Sequence, residues 1–291
     1  MIASMLALAT AQLWVLAVAG AALGAAIGSF GCVIIERLPV ALDEPNEFGD
    51  EYSTRPWGEV VGGDSRCSSC GADIRWVDKI PVLSWFLLRG KCRGCGDRIP
   101  GFHPMVELAV PVVGVALVAA MGVEWRTAPA LWLVPVGIVL AVIDLRTYIL
   151  PTKIVWPAFF VTVALALVAA GIEGEWAWLW GAFLGLVMLA GPLAVLWFAM
   201  PNGMGFGDVR LSVMLGWILG FTVYESNWTI VAFFVALLFA LSAVIGIVMG
   251  IGGMIAIGRK AKVPFGPALV LGSFVLLAFH AELIEGFALL P

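Results

Sequence analysis

Charge is scarce in this sequence. Of 291 residues, 12% are Asp, Glu, Lys or Arg and 62% are hydrophobic, whereas a soluble domain is roughly a quarter charged and about half apolar. That balance excludes an ordinary soluble fold and predicts a multi-pass protein of the lipid bilayer. Histidine is scarcer still. His103 stands at a loop end before Pro104 and His280 closes an apolar run on the far side, so no histidine–serine centre is expected. The net charge of −4 supplies no basic field, and no nucleic-acid partner is expected. No Lys or Arg precedes the first apolar run, and that run outlasts a signal-peptide core. Residues 1–35 therefore read as a retained first transmembrane helix.

Apolar windows at 6–35, 105–123, 128–143, 155–172, 177–199, 211–224, 228–257 and 264–280 predict about eight transmembrane helices, an all-α polytopic membrane protein. Leu211–Tyr224 is short for a crossing, and 228–257 is long. Apart from Arg126, every Lys and Arg falls in the loops 36–104, 144–154, 200–210 and 258–263. By the positive-inside rule those loops face the cytoplasm. The protein is thus expected in the inner or plasma membrane with both termini outside. Its organisation reads as a first helix (1–35), a cytosolic loop (36–104) and a transmembrane core (105–291). Leu42–Asp64 reads as a mobile surface segment and Arg66–Ile99 as a small ordered domain, with no tandem repeat evident.

Four of the five cysteines lie in that loop as two knuckles, Cys67-Ser68-Ser69-Cys70 and Cys92-Arg93-Gly94-Cys95, each followed by glycine. The spacing is that of a four-cysteine tetrahedral zinc site. On a reducing cytoplasmic face, structural zinc in a zinc-ribbon-like domain is preferred to a disulfide, redox thiols or unligated cysteines. Cys32, inside the first helix, reads as a small apolar filler.

The chain otherwise keeps acids out of its apolar runs, which makes two aspartates conspicuous. Asp144 closes one run; Asp208 follows Gly203, Gly205 and Gly207 and opens another. Asp208 could simply cap a helix, and Asp144 could meet headgroups beside Arg146. Three alternating glycines exceed what a cap needs, and leave backbone that water and an extended peptide can approach. The loop count puts both carboxylates on the cytoplasmic side at similar depth. They are expected to form a catalytic pair sharing one proton, one acting as base and the other as acid. Helix-dipole signs favour Asp208 as the ionised member.

Taken together these segments resemble the type IV prepilin peptidases, membrane aspartic peptidases of the Gly-x-Gly-Asp kind. The resemblance runs in order from Gly28-Ser29-Phe30 and Arg37-Leu38-Pro39 through both knuckles, Ile80-Pro81-Val82-Leu83-Ser84-Trp85 and Pro104-Met105-Val106-Glu107. It continues to Asp144 with Leu150-Pro151, Gly203–Leu211 and Pro264-Phe265-Gly266-Pro267. It implies catalysis by Asp144 and Asp208. The expected reaction is removal of a basic leader from prepilin or pseudopilin precursors after a glycine, followed by N-methylation of the new terminus with S-adenosylmethionine. Cys32, Glu36, Ser68, Thr152 and Phe102-His103 depart from residues usual in the family, and no glycine-rich nucleotide-binding turn of the Rossmann kind is present. The contrasting reading is a non-catalytic assembly subunit of a pilus or secretion system, with the zinc loop as its docking element.

Overall fold

The computed structural model describes residues 2–43, 52–200, 205–257 and 264–288. Gly203 and the basic loop 258–263 lie outside the described residues, as do 44–51 of the expected mobile segment. The chain divides into two compact units. One comprises Met1–Val40 and Arg55–Ala116, the other Ala41–Thr54 and Leu117–Pro291. Among the described residues, seven helices are long and apolar enough to cross a membrane, or up to eight if one bent pair forms a single span. The expected all-α polytopic architecture is present.

In the first unit, α1 (Ile2–Arg37) packs against α4 (Phe102–Met121) through small residues. A Cβ on Gly24 would lie 3.0 Å from Pro111 Cα, and one on Gly28 would lie 3.0 Å from Glu107 Cα. The four-residue repeat of glycine lets the two backbones come together, as is common between membrane helices. Between these helices lie α2 (Trp57–Val61) and α3 (Leu83–Leu87), with a 3-10 turn at Trp76–Lys79. Buried Glu107 accepts the Val82 N–H at 2.6 Å and so holds Val82 at a φ of 63°, a conformation that a β-branched residue rarely adopts. Cys32 is buried, as expected of a filler.

The second unit holds α5 (Ala128–Thr147), α6 (Thr152–Glu173), α7 (Ala177–Ala199), α8 (Phe206–Val223), α9 (Trp228–Ile257), α10 (Gly266–Ala278) and α11 (His280–Ala288). Short strands β1 (Pro39–Ala41) and β2 (Tyr52–Thr54) flank the undescribed 44–51. The shortest of the seven candidate spans, α8, is the centre of this unit. It is buried almost all round and packs against α5, α6, α7, α9 and α10, as an apolar helix without a polar face must. Its tightest neighbour is α7. A Cβ on Gly185 would sit 2.2 Å from Gly216 O, and one on Gly220 would sit 2.1 Å from Gly181 O. Two facing pairs of glycines, each at four-residue spacing, thus set the distance between these helices. Further along, α10 ends in a 70° bend into α11. His280 therefore opens a short helix rather than closing the last span.

Replacing Gly185 with Val should force α7 and α8 apart and cost about 1–3 kcal/mol or more. Gly191→Ala, on the same helix with nothing within 4 Å of the added Cβ, should be near neutral. Thermal unfolding in detergent separates the two outcomes; equal midpoints would contradict this packing.

Candidate active site and metal centre

Asp144 lies in the last turn of α5, whose end is closed by Tyr148 in a left-handed conformation, its N–H bonded back to Asp144 O at 2.9 Å. Tyr148 ends the helix, and Pro151 stands at the N-cap of α6. Asp208 sits in the first turn of α8. The helix begins at Phe206, before the Leu211 expected from hydropathy, with Gly205 as its N-cap. Asp208 is therefore not the capping residue: it stands inside the helix, where its charge suits the dipole. Gly207 is helical too, while Gly205 is extended. The expected unwound glycine run does not extend over Gly207.

Both carboxylates are buried, Asp144 at 5% and Asp208 at 9% exposure, and they lie within electrostatic reach of each other. Leu150 connects their surroundings. A Cβ on Gly207 would come 2.9 Å from Leu150 Cβ, and Leu150 Cδ1 lies 3.3 Å from the Cβ position of Gly266. Gly266 opens α10, and its N–H bonds Asp144 Oδ2 at 3.2 Å. The next residue, Pro267, lacks an N–H, as suits a first-turn position. Asp144 thus faces the N-terminus of α10 as well as standing at the C-terminus of α5. The helix-dipole argument that singled out Asp208 as the ionised member no longer distinguishes the two. Around this end of the bundle, Arg210 donates to Thr152 Oγ1 and lies over the Phe206 ring, tying the start of α8 to that of α6.

In the other unit, the four knuckle cysteines place all their sulfurs within 4.8 Å of one another, with Cys67 and Cys95 Sγ 3.9 Å apart. Sulfurs on a tetrahedral zinc at about 2.3 Å stand about 3.8 Å apart. The cluster could hold zinc, and none of these cysteines is in a disulfide. The Cys67 thiol is pulled down to about 6, first by the Cys70 N–H and then by that of Ser69. The Cys95 thiol is pushed up to about 12: the Asp97 N–H favours its thiolate, but burial and the sulfurs of Cys70, Cys92 and Cys67 outweigh it. Arg93 donates to Asp78 at 2.7 and 3.0 Å and holds that carboxyl below its ordinary range, anchoring the second knuckle to the 3-10 turn.

Residues 131–251 match the Type IV leader peptidase family, and residues 22–121 match the Bacterial Peptidase A24 N-terminal domain. The chain belongs to the type IV leader peptidase family. A prepilin leader peptidase/N-methyltransferase of Aeromonas hydrophila is 30% identical over 274 residues, covering 86% of each chain. That of Stutzerimonas stutzeri is 30% identical over 278 residues, covering 91% of each. That of Bacillus subtilis (strain 168) is 28% identical over 230 residues, covering 78% of this chain and 86% of the relative. No solved structure matches.

In this family member, reasoning from sequence missed the part Gly266 plays beside Asp144, although Pro264-Phe265-Gly266-Pro267 was visible as a motif. It also missed the facing glycines of α7 and α8, whose four-residue spacing is a readable sign of close helix approach. The glycines near the aspartates are not equivalent. Gly266→Ala would place a Cβ 2.6 Å from Asp144 Oδ2, whereas on Gly205 the Cβ would sit 3.7 Å from Asp208 Oδ2, an ordinary contact. Gly266→Ala and Gly207→Ala should each lower stability by about 1–3 kcal/mol and Gly205→Ala should not, as read by thermal unfolding. A ranking with Gly205→Ala worst would refute the geometry.

The thiol pattern sets the direction of a pH effect. Cys67 is an anion above about 6 and a thiol below it, and every proton that remains on sulfur must leave when a metal binds. Zinc should bind close to one-to-one at neutral pH and be released on acidification as protons compete for the thiolates, measured by metal analysis after dialysis. Failure to bind zinc at neutral pH, or release that does not depend on pH, would contradict a tetrathiolate site.

Proposed function

We propose that this chain is an aspartic endopeptidase that removes the basic leader of type IV prepilin-like precursors, cutting after a glycine at the cytoplasmic edge of the membrane. The observation that supports the reading is the burial of Asp144, in the last turn of α5, and Asp208, in the first turn of α8, within electrostatic reach of each other. Two close carboxylates resist double ionisation and share one proton. The ionised member takes a proton from water as its oxygen adds to the scissile carbonyl carbon, and the protonated member donates to the carbonyl oxygen. As the tetrahedral intermediate collapses, the C–N bond breaks and the first carboxyl passes its new proton to the leaving amine. The Gly266 N–H fixes one Asp144 oxygen, which restricts the orientation in which that carboxyl meets water or substrate. Gly205, extended and exposed ahead of Asp208, is where an extended peptide would approach; Gly203 belongs to the same segment.

The layout we propose is a first helix at 1–35, a cytosolic zinc-binding loop at 36–104 and a peptidase core at 105–291, with both termini outside. Zinc on Cys67, Cys70, Cys92 and Cys95 would be structural, since four protein ligands leave no open position. N-methylation of the new terminus with S-adenosylmethionine is supported by the relatives' name. The cavity beside Trp85 is lined by Arg89, Lys91 and Arg98, a charge that repels a sulfonium, and no methyl-transfer step is assigned there.

Asp144→Asn and Asp208→Asn should each lower leader cleavage by about 100-fold or more without moving the thermal unfolding midpoint. Intact cleavage by either folded variant would overturn the dyad and favour an assembly subunit.

A further inference from the structure

The two cysteine knuckles are copies of one structure. In each, the first cysteine N–H bonds a carbonyl beyond the loop, Cys67 N to Ala72 O at 2.9 Å and Cys92 N to Asp97 O at 2.8 Å. Gly71 and Gly96 stand at φ of 70° and 74°, each bonding back to its first cysteine's carbonyl at 2.9 Å. Ile74 and Ile99 close the loops onto Ser65 and Gly90 carbonyls, both at 2.8 Å. Finally, an antiparallel bridge joins the arms of each copy, Arg66 to Asp73 and Lys91 to Arg98.

The copies differ in charge at that bridge. Arg66 Nε meets Asp73 Oδ1 at 2.9 Å, an opposite pair. Lys91 instead faces Arg98, and like charges placed opposite each other across neighbouring strands repel. Arg89, held at a φ of 53°, brings a third cation to the same cavity of about 360 Å³, which Trp85 and Gly101 also line. None of the three cations makes an ion pair among the described residues. The adjacent Asp97 is occupied by Ser69 Oγ and the Arg98 N–H.

We propose that this cavity binds the phosphate of an anionic phospholipid headgroup, which supplies to the second knuckle the negative charge that Asp73 supplies to the first. Two observations favour a lipid over a free anion. Gly101, at the cavity's edge, directly precedes α4, a candidate membrane span, so the cavity lies where headgroups lie. Phe86 and Leu87, next to Trp85 on α3, are 63% and 73% exposed, apolar surface that suits the acyl boundary and has no use beside a free ion. The basic leader of a precursor carries the wrong charge for this place.

The test uses the full-length protein in neutral detergent, with dioctanoyl phosphatidylglycerol, dioctanoyl phosphatidylcholine and inorganic phosphate as probes, read by native mass spectrometry. Wild type should retain phosphatidylglycerol in clear preference to the other two. Arg98→Asp rebuilds opposite Lys91 the pairing that Arg66 and Asp73 make, so the knuckle should stay folded with its zinc retained. That charge reversal should weaken phosphatidylglycerol binding by more than about tenfold, counting roughly 1 kcal/mol per cation. Should Arg98→Asp lose its zinc, Arg89→Gln makes the same comparison, with an expected loss of about fivefold. Equal phosphatidylglycerol affinity in wild type and the zinc-retaining variant would overturn the proposal. So would inorganic phosphate competing as well as the lipid, which would identify a free anion as the occupant.

Discussion

The hydrogen bond from the Gly266 N–H to Asp144 Oδ2 joins two helix ends that are remote in sequence. An acidic group among apolar helices is costly unless the protein supplies partners, and here the partner is the first amide of α10. The same glycine must be bare, because any side chain would occupy the space of the carboxylate it binds. Leu150 then fills the gap between that helix end and Gly207, next to Asp208. The two aspartates are therefore positioned by the ends of α5, α8 and α10 together, with no single loop setting where they stand.

Placing α8 at the centre has its own requirement. A helix surrounded on all sides must let its neighbours approach closely, and in a bilayer there is little hydrophobic gain to draw helices together. The facing glycines at 181, 185, 216 and 220 meet that need by removing side chains from the contact between α7 and α8. In the other unit Gly24 and Gly28 do the same for α1 and α4. Close backbone approach sets the helix positions, and the helix positions set where the carboxylates stand.

Much of this was legible from residue types. Asp144 and Asp208 stood out because apolar runs make an acid conspicuous, and the knuckles because paired cysteines have few structural uses. Helix starts were less legible: Gly207 read as part of an unwound run, yet α8 begins at Phe206 and includes it, because tertiary packing outweighs the weak helix propensity of glycine. The bond between Gly266 and Asp144 spans more than a hundred positions and has no local signature. The copying of one knuckle by the other was legible only in part. Cysteine, glycine and isoleucine recur at matching places, with Arg66 and Lys91 each just before the first cysteine, but the backbone is needed to show that Arg66 faces Asp73 and Lys91 faces Arg98.

If Asp144 and Asp208 work as one unit sharing a single proton, the pH dependence of kcat/KM for leader cleavage reports two ionisations that belong to the pair. The account predicts a bell-shaped profile, with an acid limb where both carboxyls are protonated and an alkaline limb where both are charged. A rate that stays flat across the pH range in which the protein remains folded would contradict it.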